Sequence, residues 1–360
     1  MLLERTCVKV LKTNGETVRR FLLKEGLLDL KLLIEQQGEY LYLPTHPLPD
    51  KVVKKIHEKY RTHIETHRFS TIRQKPKTFQ ELLKETLPKE EFSYLPQGFD
   101  RIGDIAIVGI KDRLKQFEKE IGMAILTANS SIKTVFTKDS KVFGSRRLQK
   151  LRYIAGQEKY RTIHREFGVY LCVEIGRVYF SPRLAQEHVR IANQVLPNEL
   201  VLDMFTGVGP FAIHIANQIE GKIYAVDINP TAITCLKENM TLNKLRGEII
   251  PILGDVQEII NRELQGLCDR VIMNLPSKAA NYIPAAISAI KPRGGILHFY
   301  KFEKEPASKE KGVSILRERA KKTRAAIEIL RSHIIKEIAP RTYLLVVDAR
   351  VRPKSELNSD

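Results

Sequence analysis

The sequence predicts an α/β fold: a doubly wound, largely parallel sheet with an antiparallel edge, preceded by an α+β unit and a small N-terminal α/β unit. Three observations carry this. Short apolar runs recur at 200–204, 222–226, 249–253, 270–273 and 295–299 with helical segments between them, and strand–helix alternation at this spacing gives a parallel sheet. Four polar residues, Asp203, Asp227, Asp255 and Asn274, fall at the ends of four of those runs. Two later β-rich runs, 332–338 and 343–349, are joined by Pro340-Arg341, which predicts an edge hairpin.

The elements follow in order. Residues 7–11 read as a strand. Gly15-Glu16-Thr17 opens a helix over 18–25, where Val18, Phe21 and Leu22 fit a 3.6-residue period, and Gly26 stops it. Residues 40–43 form another short strand, closed by a turn between Pro44 and Pro49. The stretch 67–78 is polar, basic and without periodic apolar positions, which marks an interdomain linker. The domains are placed at 1–70, 79–183 and 184–360, with 71–78 as linker. In the second, a helix is expected over 79–87, a β-rich run over 102–110, an amphipathic helix over 113–123, and strands over 131–136 and 170–175. In the third, a helix over 185–193 opens the unit and a long charged helix over about 308–330 precedes the final hairpin.

Composition narrows the partners. The chain has 360 residues, with 60 Lys and Arg against 42 Asp and Glu, a net charge of +18. Such an excess points to a polyanion. It is distributed, at +7 over 1–78, +6 over 79–190 and +5 over 191–360, which suits a long folded nucleic acid better than a tail contact. The densest basic stretch, 138–165, has nine Lys and Arg against Asp139 and Glu158. No apolar run approaches the ~20 residues of a membrane span, and the first residues lack a signal-peptide core. The four cysteines form no CxxC pair. A reducing, cytoplasmic setting is expected, with no membrane partner. Cys172 and Cys235 read as core. His164 and His188 have no second His or Cys at ligand-like spacing, so no metal site is expected.

The clearest motif is Leu202-Asp203-Met204-Phe205-Thr206-Gly207-Val208-Gly209-Pro210-Phe211, between a strand and a helix. Gly207 and Gly209 permit a tight turn and close approach of a ligand to the backbone. Asp227, 24 residues after Asp203, suits ribose hydroxyls. NAD and S-adenosylmethionine both fit so far, since Ala212 is tolerated where NAD sites prefer a third glycine. Asp255 after the third strand can accept from an adenine amino group. Asn274-Leu275-Pro276 after the fourth lies where a reacting group belongs. An acid as close to the glycine loop as Asp203 suits a cationic methionine moiety better than a pyrophosphate. S-adenosylmethionine is therefore the expected cofactor, with Phe205, Ile228 and Val256 completing its set of contacts.

These motifs, with Asp227-Ile228-Asn229-Pro230, resemble those of class I methyltransferases acting on amino groups or ring nitrogens. Upstream, Arg165-Glu166-Phe167-Gly168 and Val178-Tyr179-Phe180-Ser181-Pro182-Arg183-Leu184 resemble the archaeal and eukaryotic tRNA guanosine-37 N1-methyltransferases over roughly 90–350. The N-terminal unit resembles the extra domain of archaeal members. The resemblance implies a class I Rossmann-like sheet and methyl transfer from S-adenosylmethionine to N1 of guanosine 37 of tRNA. It implies Glu187, eight residues after Tyr179, as general base. It implies Arg147, nine residues before Gly156, as donor to guanine O6, and Asn274 as the residue orienting the base. Tyr179 and Pro276 are implied as pocket walls, and Arg183, Arg146 and Lys150 as further substrate contacts. Bottom-up, Arg147 equally suits a phosphate, Glu187 a helix N-terminus and Tyr179 a core site.

The chemistry agrees with those roles. Guanine N1 is protonated at neutral pH, so a carboxylate must take the proton and a donor must steady the charge on O6. A sulfonium donor needs no metal. The stretch 138–165 is expected to grip the anticodon stem-loop and the N-terminal unit the tRNA elbow, with the protein acting as a monomer. Three other readings stand: an aminocarboxypropyl transfer or a second methylation in the wyosine pathway, a non-catalytic tRNA-binding protein, and an NAD-dependent dehydrogenase.

Overall fold

The computed structural model describes residues 2–71, 77–139, 150–304, 308–323 and 325–353. Two compact units divide the chain, 1–76 and 77–360. In the first, β1 (Leu2–Leu11), β2 (Glu35–Gln37), β3 (Tyr40–Pro44) and β4 (His63–Ser70) form an antiparallel sheet in the order β2-β3-β1-β4. Helices α1 (Lys12–Lys24) and α2 (Asp50–Tyr60) bury Val18, Leu22 and Ile56 against Val8, Val10 and Leu43. Gly26 ends α1 at φ 68°, a conformation costly for other residues. Strand β4 corrects the start of the expected linker. Residues 67–70 pair with Arg5 back to Leu2, although of these four only Phe69 is buried. His67 stacks on Tyr42, with ring centroids 4.3 Å apart. The backbone ladder holds this strand, so its polar sequence concealed it. Residues 72–76 of the expected linker lie outside the described residues.

The second unit opens with α3 (Phe79–Thr86), whose entry is a capping box between Thr78 and Glu81. Strands β5 (Phe99–Ile102), β6 (Ile105–Val108), β7 (Thr134–Lys138) and β8 (Leu151–Gly156) follow in one sheet of that order. The single β run expected over 102–110 is thus a hairpin, turned at Gly103 with φ 56°. A 3₁₀ segment over Asp112–Phe117 delays the next helix, α4, to Glu118–Ala128. A separate antiparallel hairpin, β9 (Arg161–Glu166) and β10 (Val169–Glu174), follows. Both β8 and β9 lie in the stretch recognised only as basic; Arg152 in β8, and in β9 the outward Arg161 and Arg165 set against inward Thr162, His164 and Glu166, hid their period of two.

The remainder is a seven-stranded sheet of order β13-β12-β11-β14-β15-β17-β16. Its strands are β11 (Leu200–Asp203), β12 (Lys222–Asp227), β13 (Glu248–Leu253), β14 (Arg270–Met273), β15 (Gly295–Lys304), β16 (Ala325–Ala339) and β17 (Thr342–Pro353). The first five are parallel and β17 runs antiparallel to both neighbours. Helices α5 (Ala185–Ala192), α6 (Pro210–Gln218) and α7 (Pro230–Leu242), with β10, cover one face. Helices α8 (Val256–Ile259), α9 (Ile283–Ala289) and α10 (Ser308–Ala320) cover the other. This is the expected fold class. The helix expected to reach 330 stops at Ala320, and 325–339 is strand instead. Ala325, Ile327 and Ile329 alternate toward the core while Glu328 faces out; that period of two, paired to β17, outweighs the helical propensity of Ala and Leu. No helix among the described residues is long and apolar enough to cross a membrane.

Candidate active site

Strand order reverses at β11, between β12 and β14, and a cleft opens beyond the carboxyl ends of these strands. Ligands of open α/β sheets bind at such a switch point. The turn after β11 brings Phe205 and Gly207 into its wall, the turn after β12 brings Asp227 and Ile228, the turn after β13 Asp255 and Val256, and the end of β14 Asn274. Tyr179 closes it from the segment before α5.

Asp227 organises the rim. One carboxylate oxygen accepts from the Gly207 N–H and the other from the Asn229 N–H, both at 2.8 Å. Burial raises its pKa against these two donors. Gly207, at φ 58°, can therefore present its backbone to a ligand while its N–H is held from below. Gly209 lies behind the wall at φ 82°, where a Cβ would meet Leu236 Cδ1 at 2.2 Å. Asp203 is also behind the wall and fully buried; burial, with the Asp227 charge adding to it, pushes its pKa up to about 7. Asp255 caps α8 by accepting from the Gln257 N–H at 2.8 Å.

Glu187 sits on α5, 4% exposed, and does not line the cleft. Leu184 and His188, which do, are its neighbours at i−3 and i+1, so Glu187 borders that face of the helix. Its carboxylate turns the other way. Arg190 donates to it through two nitrogens, both at 2.7 Å, and the Tyr300 hydroxyl donates at 2.6 Å. Arg190 also donates to Asp348 at 2.7 and 3.2 Å. Asp348 accepts from His298 Nδ1 at 2.6 Å, and Arg270 donates to His298 Nε2 at 2.8 Å. A guanidinium can only donate, so His298 is neutral with its proton on Nδ1. Burial, aided by Arg270 and Arg190, lowers its pKa accordingly. Burial alone would raise Asp348, yet His298 and Arg190 hold it well below the usual carboxylate range.

The other expected residues are placed as follows. Pro276 does not line the cleft; its carbonyl accepts from the Phe302 N–H at 3.3 Å. Arg183 is turned to Asp100 of β5 at 2.6 Å. Lys150 is the first residue of the described segment 150–304, its carbonyl accepting from the Asp139 N–H at 2.9 Å. Arg146 and Arg147 lie outside the described residues. Sequence reasoning missed Tyr282, which lines the cleft and meets Phe205 edge-on at 5.0 Å; it lies six residues beyond Pro276 with no motif around it. It also missed a buried trio that no sequence spacing announces. Glu166 Oε1 accepts from His188 Nδ1 at 2.7 Å and His214 Nε2 at 3.0 Å. Burial opposes ionisation of Glu166, but the two imidazoles outweigh it and hold its pKa at about 2.

Family models match along most of the chain: the TRM5/TYW2 methyltransferase domain over 162–330, the TYW2 N-terminal domain over 79–159 and the tRNA methyltransferase 5 N-terminal domain over 7–53. The tRNA (guanine(37)-N(1))-methyltransferase Trm5b of Pyrococcus abyssi is 39% identical over 344 residues, covering 96% of this chain and 98% of that one. The chain belongs to the TRM5/TYW2 methyltransferase family. The Trm5b of Methanocaldococcus jannaschii is 37% identical over 97% of this chain and 99% of its own. Among solved structures, the complex of aTrm5 and tRNALeu superposes with a TM-score of 0.73 at 37% identity, covering 96% of this chain and 99% of that one.

Proposed function

We propose that this chain methylates N1 of guanosine 37 of tRNA, using S-adenosylmethionine held in the cleft between β11 and β14. The observation that carries this reading is the convergence of Asp227, Asp255 and Asn274 on one cleft, bordered by Glu187. The residues fit the cofactor: Thr206 Oγ1, in the cleft lining, is a buried polar atom without a hydrogen-bond partner among the described residues, and Gly207, also in the lining, has no side chain to fill the turn. Asp227 would hold the ribose hydroxyls and Asp255 the adenine amino group. When bound, the cofactor supplies an electrophilic methyl group on a sulfonium.

This chain's own residues then supply the rest. Asn274 orients the guanine edge. Glu187 turns from Arg190 toward the cleft and takes the N1 proton, and Arg147 donates to O6 as charge gathers there. Tyr179 walls the base pocket. Alignment of N1 with the methyl carbon is the main service of the protein. The match of 7–53 to the tRNA methyltransferase 5 N-terminal domain favours methyl transfer over the aminocarboxypropyl alternative.

The test is mass spectrometry of nucleosides from tRNA incubated with labelled donor. Label in 1-methylguanosine at position 37 is the expected result, and an aminocarboxypropyl adduct or no label overturns it. The same assay without residues 1–70 tests the elbow contact: intact tRNA should lose its advantage over an anticodon stem-loop. Asp227→Asn is expected to weaken S-adenosylmethionine binding about 10–100-fold by calorimetry, since it loses a charged acceptor on two backbone donors and on the ribose. Unchanged affinity would remove Asp227 from the site.

A further inference from the structure

The β9–β10 hairpin is built to meet a charged strand. Along β9, Thr162 and Glu166 are buried and His164 half-buried, whereas Arg161, Ile163 and Arg165 face out. Tyr170 of β10 pairs opposite Arg165, and the Arg165 guanidinium lies 5.5 Å from the Tyr170 ring centroid. Arg101 and Lys159 join Arg161 and Arg165 around an open depression whose acids are Asp104 and Glu238. Lys159 is paired with Asp104 and Arg161 with Glu238. Arg101 and Arg165 have no acidic partner among the described residues.

The platform is fixed. Asn239 of α7 and Asn243, the residue that follows the helix, each bond both the N–H and the carbonyl of a hairpin residue, Cys172 and Tyr170 respectively. Glu166 pins the strand end to His188 and His214. The turn itself is strained: Phe167 sits at φ 42° while 62% exposed, followed by Gly168 at φ 88°. A bulky residue in that region costs free energy, and no burial of its ring offsets the cost. The depression also adjoins the cleft, because the His164 ring lies 5.2 Å from Phe180, which lines the cleft wall.

We infer that the outer face of this hairpin, with Arg101, seats the RNA strand flanking the methylated nucleotide: Arg101, Arg161 and Arg165 on phosphates, and Phe167 and Tyr170 as stacking surfaces for unpaired bases. A polyanion with exposed base faces fits guanidiniums interleaved with aromatic rings on a rigid sheet. The inference rests on the proposed tRNA substrate and deepens it by assigning the strand a place.

Two variants test it. Arg101→Ala/Arg165→Ala should raise the KM for tRNA about tenfold and flatten the dependence of log affinity on log salt by roughly 1.4–1.8, the loss of two phosphate contacts. Phe167→Gly relieves the positive φ, so it should fold at least as well while the KM rises several-fold. S-adenosylmethionine affinity should stay within about twofold in both. The control pair Arg350→Ala/Arg352→Ala, on β17, removes equal charge. Unchanged KM and salt slope in the hairpin variants, an equal effect in the control, or a parallel loss of cofactor affinity overturns the inference. Filter binding of tRNA separates this from the function itself: if wild type binds tRNA without methylating it, the proposed reaction fails, and the hairpin variants still report on the seat.

Discussion

Glu187→Gln is expected to lower kcat by about 10²–10⁴-fold, the range a positioned general base contributes. Cofactor affinity should remain within about twofold. The substitution keeps the shape of the side chain and its ability to accept from Tyr300, but an amide cannot take the N1 proton. One of its two ends must also present an NH₂ to Arg190, which only donates. The Tyr300 hydroxyl at 2.6 Å and the bidentate Arg190 hold the carboxylate beside the cleft rather than in it. Two measurements discriminate. Calorimetry reads cofactor binding, which Glu187 does not touch in this arrangement. Single-turnover methylation of tRNA reads the chemical step. A turnover within threefold of wild type, on the order of 0.6 kcal/mol, would remove Glu187 from the base role and leave it as the anionic end of a buried network.

That network shows where sequence reading stops. The cofactor rim was legible because each of its parts is local. A glycine turn after a strand, an acid at the end of the next and Asn-Leu-Pro after the fourth are short patterns whose meaning follows from strand–helix alternation. The setting of Glu187 was not legible. Tyr300 is 113 residues away from it, and Asp348 is 158 residues from Arg190. Only the stacking of α5 on β15 and β17 brings them together. Glu166, His188 and His214 are joined in the same way, across the hairpin, α5 and α6. In the fold, errors fell where backbone pairing overrode composition: in β4, whose residues are mostly polar, in β9, whose alternation is of Arg with Thr and His, and in β16, whose apolar residues satisfy both periods. The expected helix at 79–87 met no such conflict, because its capping box lies within four residues of sequence.

Arg190→Met should cost about 3–5 kcal/mol of folding stability, the penalty for leaving buried charge without its partner. Arg190 is the one guanidinium described as touching both Glu187 and Asp348, whose side chains are 4% and 5% exposed. Burial alone would lower its pKa, but those two carboxylates outweigh it and raise it further. Once Arg190 is gone, Asp348 keeps neutral His298, and among the described residues Glu187 keeps the Tyr300 hydroxyl and His333 at 4.0 Å. Asp348 then loses one of the two partners that hold its carboxyl low, and its pKa should rise toward the unfolded value. A carboxyl whose folded pKa is depressed contributes stability that is present above its unfolded pKa, near 4, and lost as pH falls through the folded value. The deficit of the variant should therefore be full at about pH 5–8 and shrink as the pH falls below about 4. Urea denaturation across that range measures it. Arg190→Lys should fall between wild type and Met, because it keeps the charge but loses the planar fork. Asp348→Asn added to Arg190→Met should recover part of the loss, since one buried anion that has lost its guanidinium is removed. A pH-independent deficit, or one below about 1 kcal/mol of the kind typical of exposed ion pairs, would mean that Glu187 and Asp348 reach solvent and that the guanidinium is not what holds the base in place.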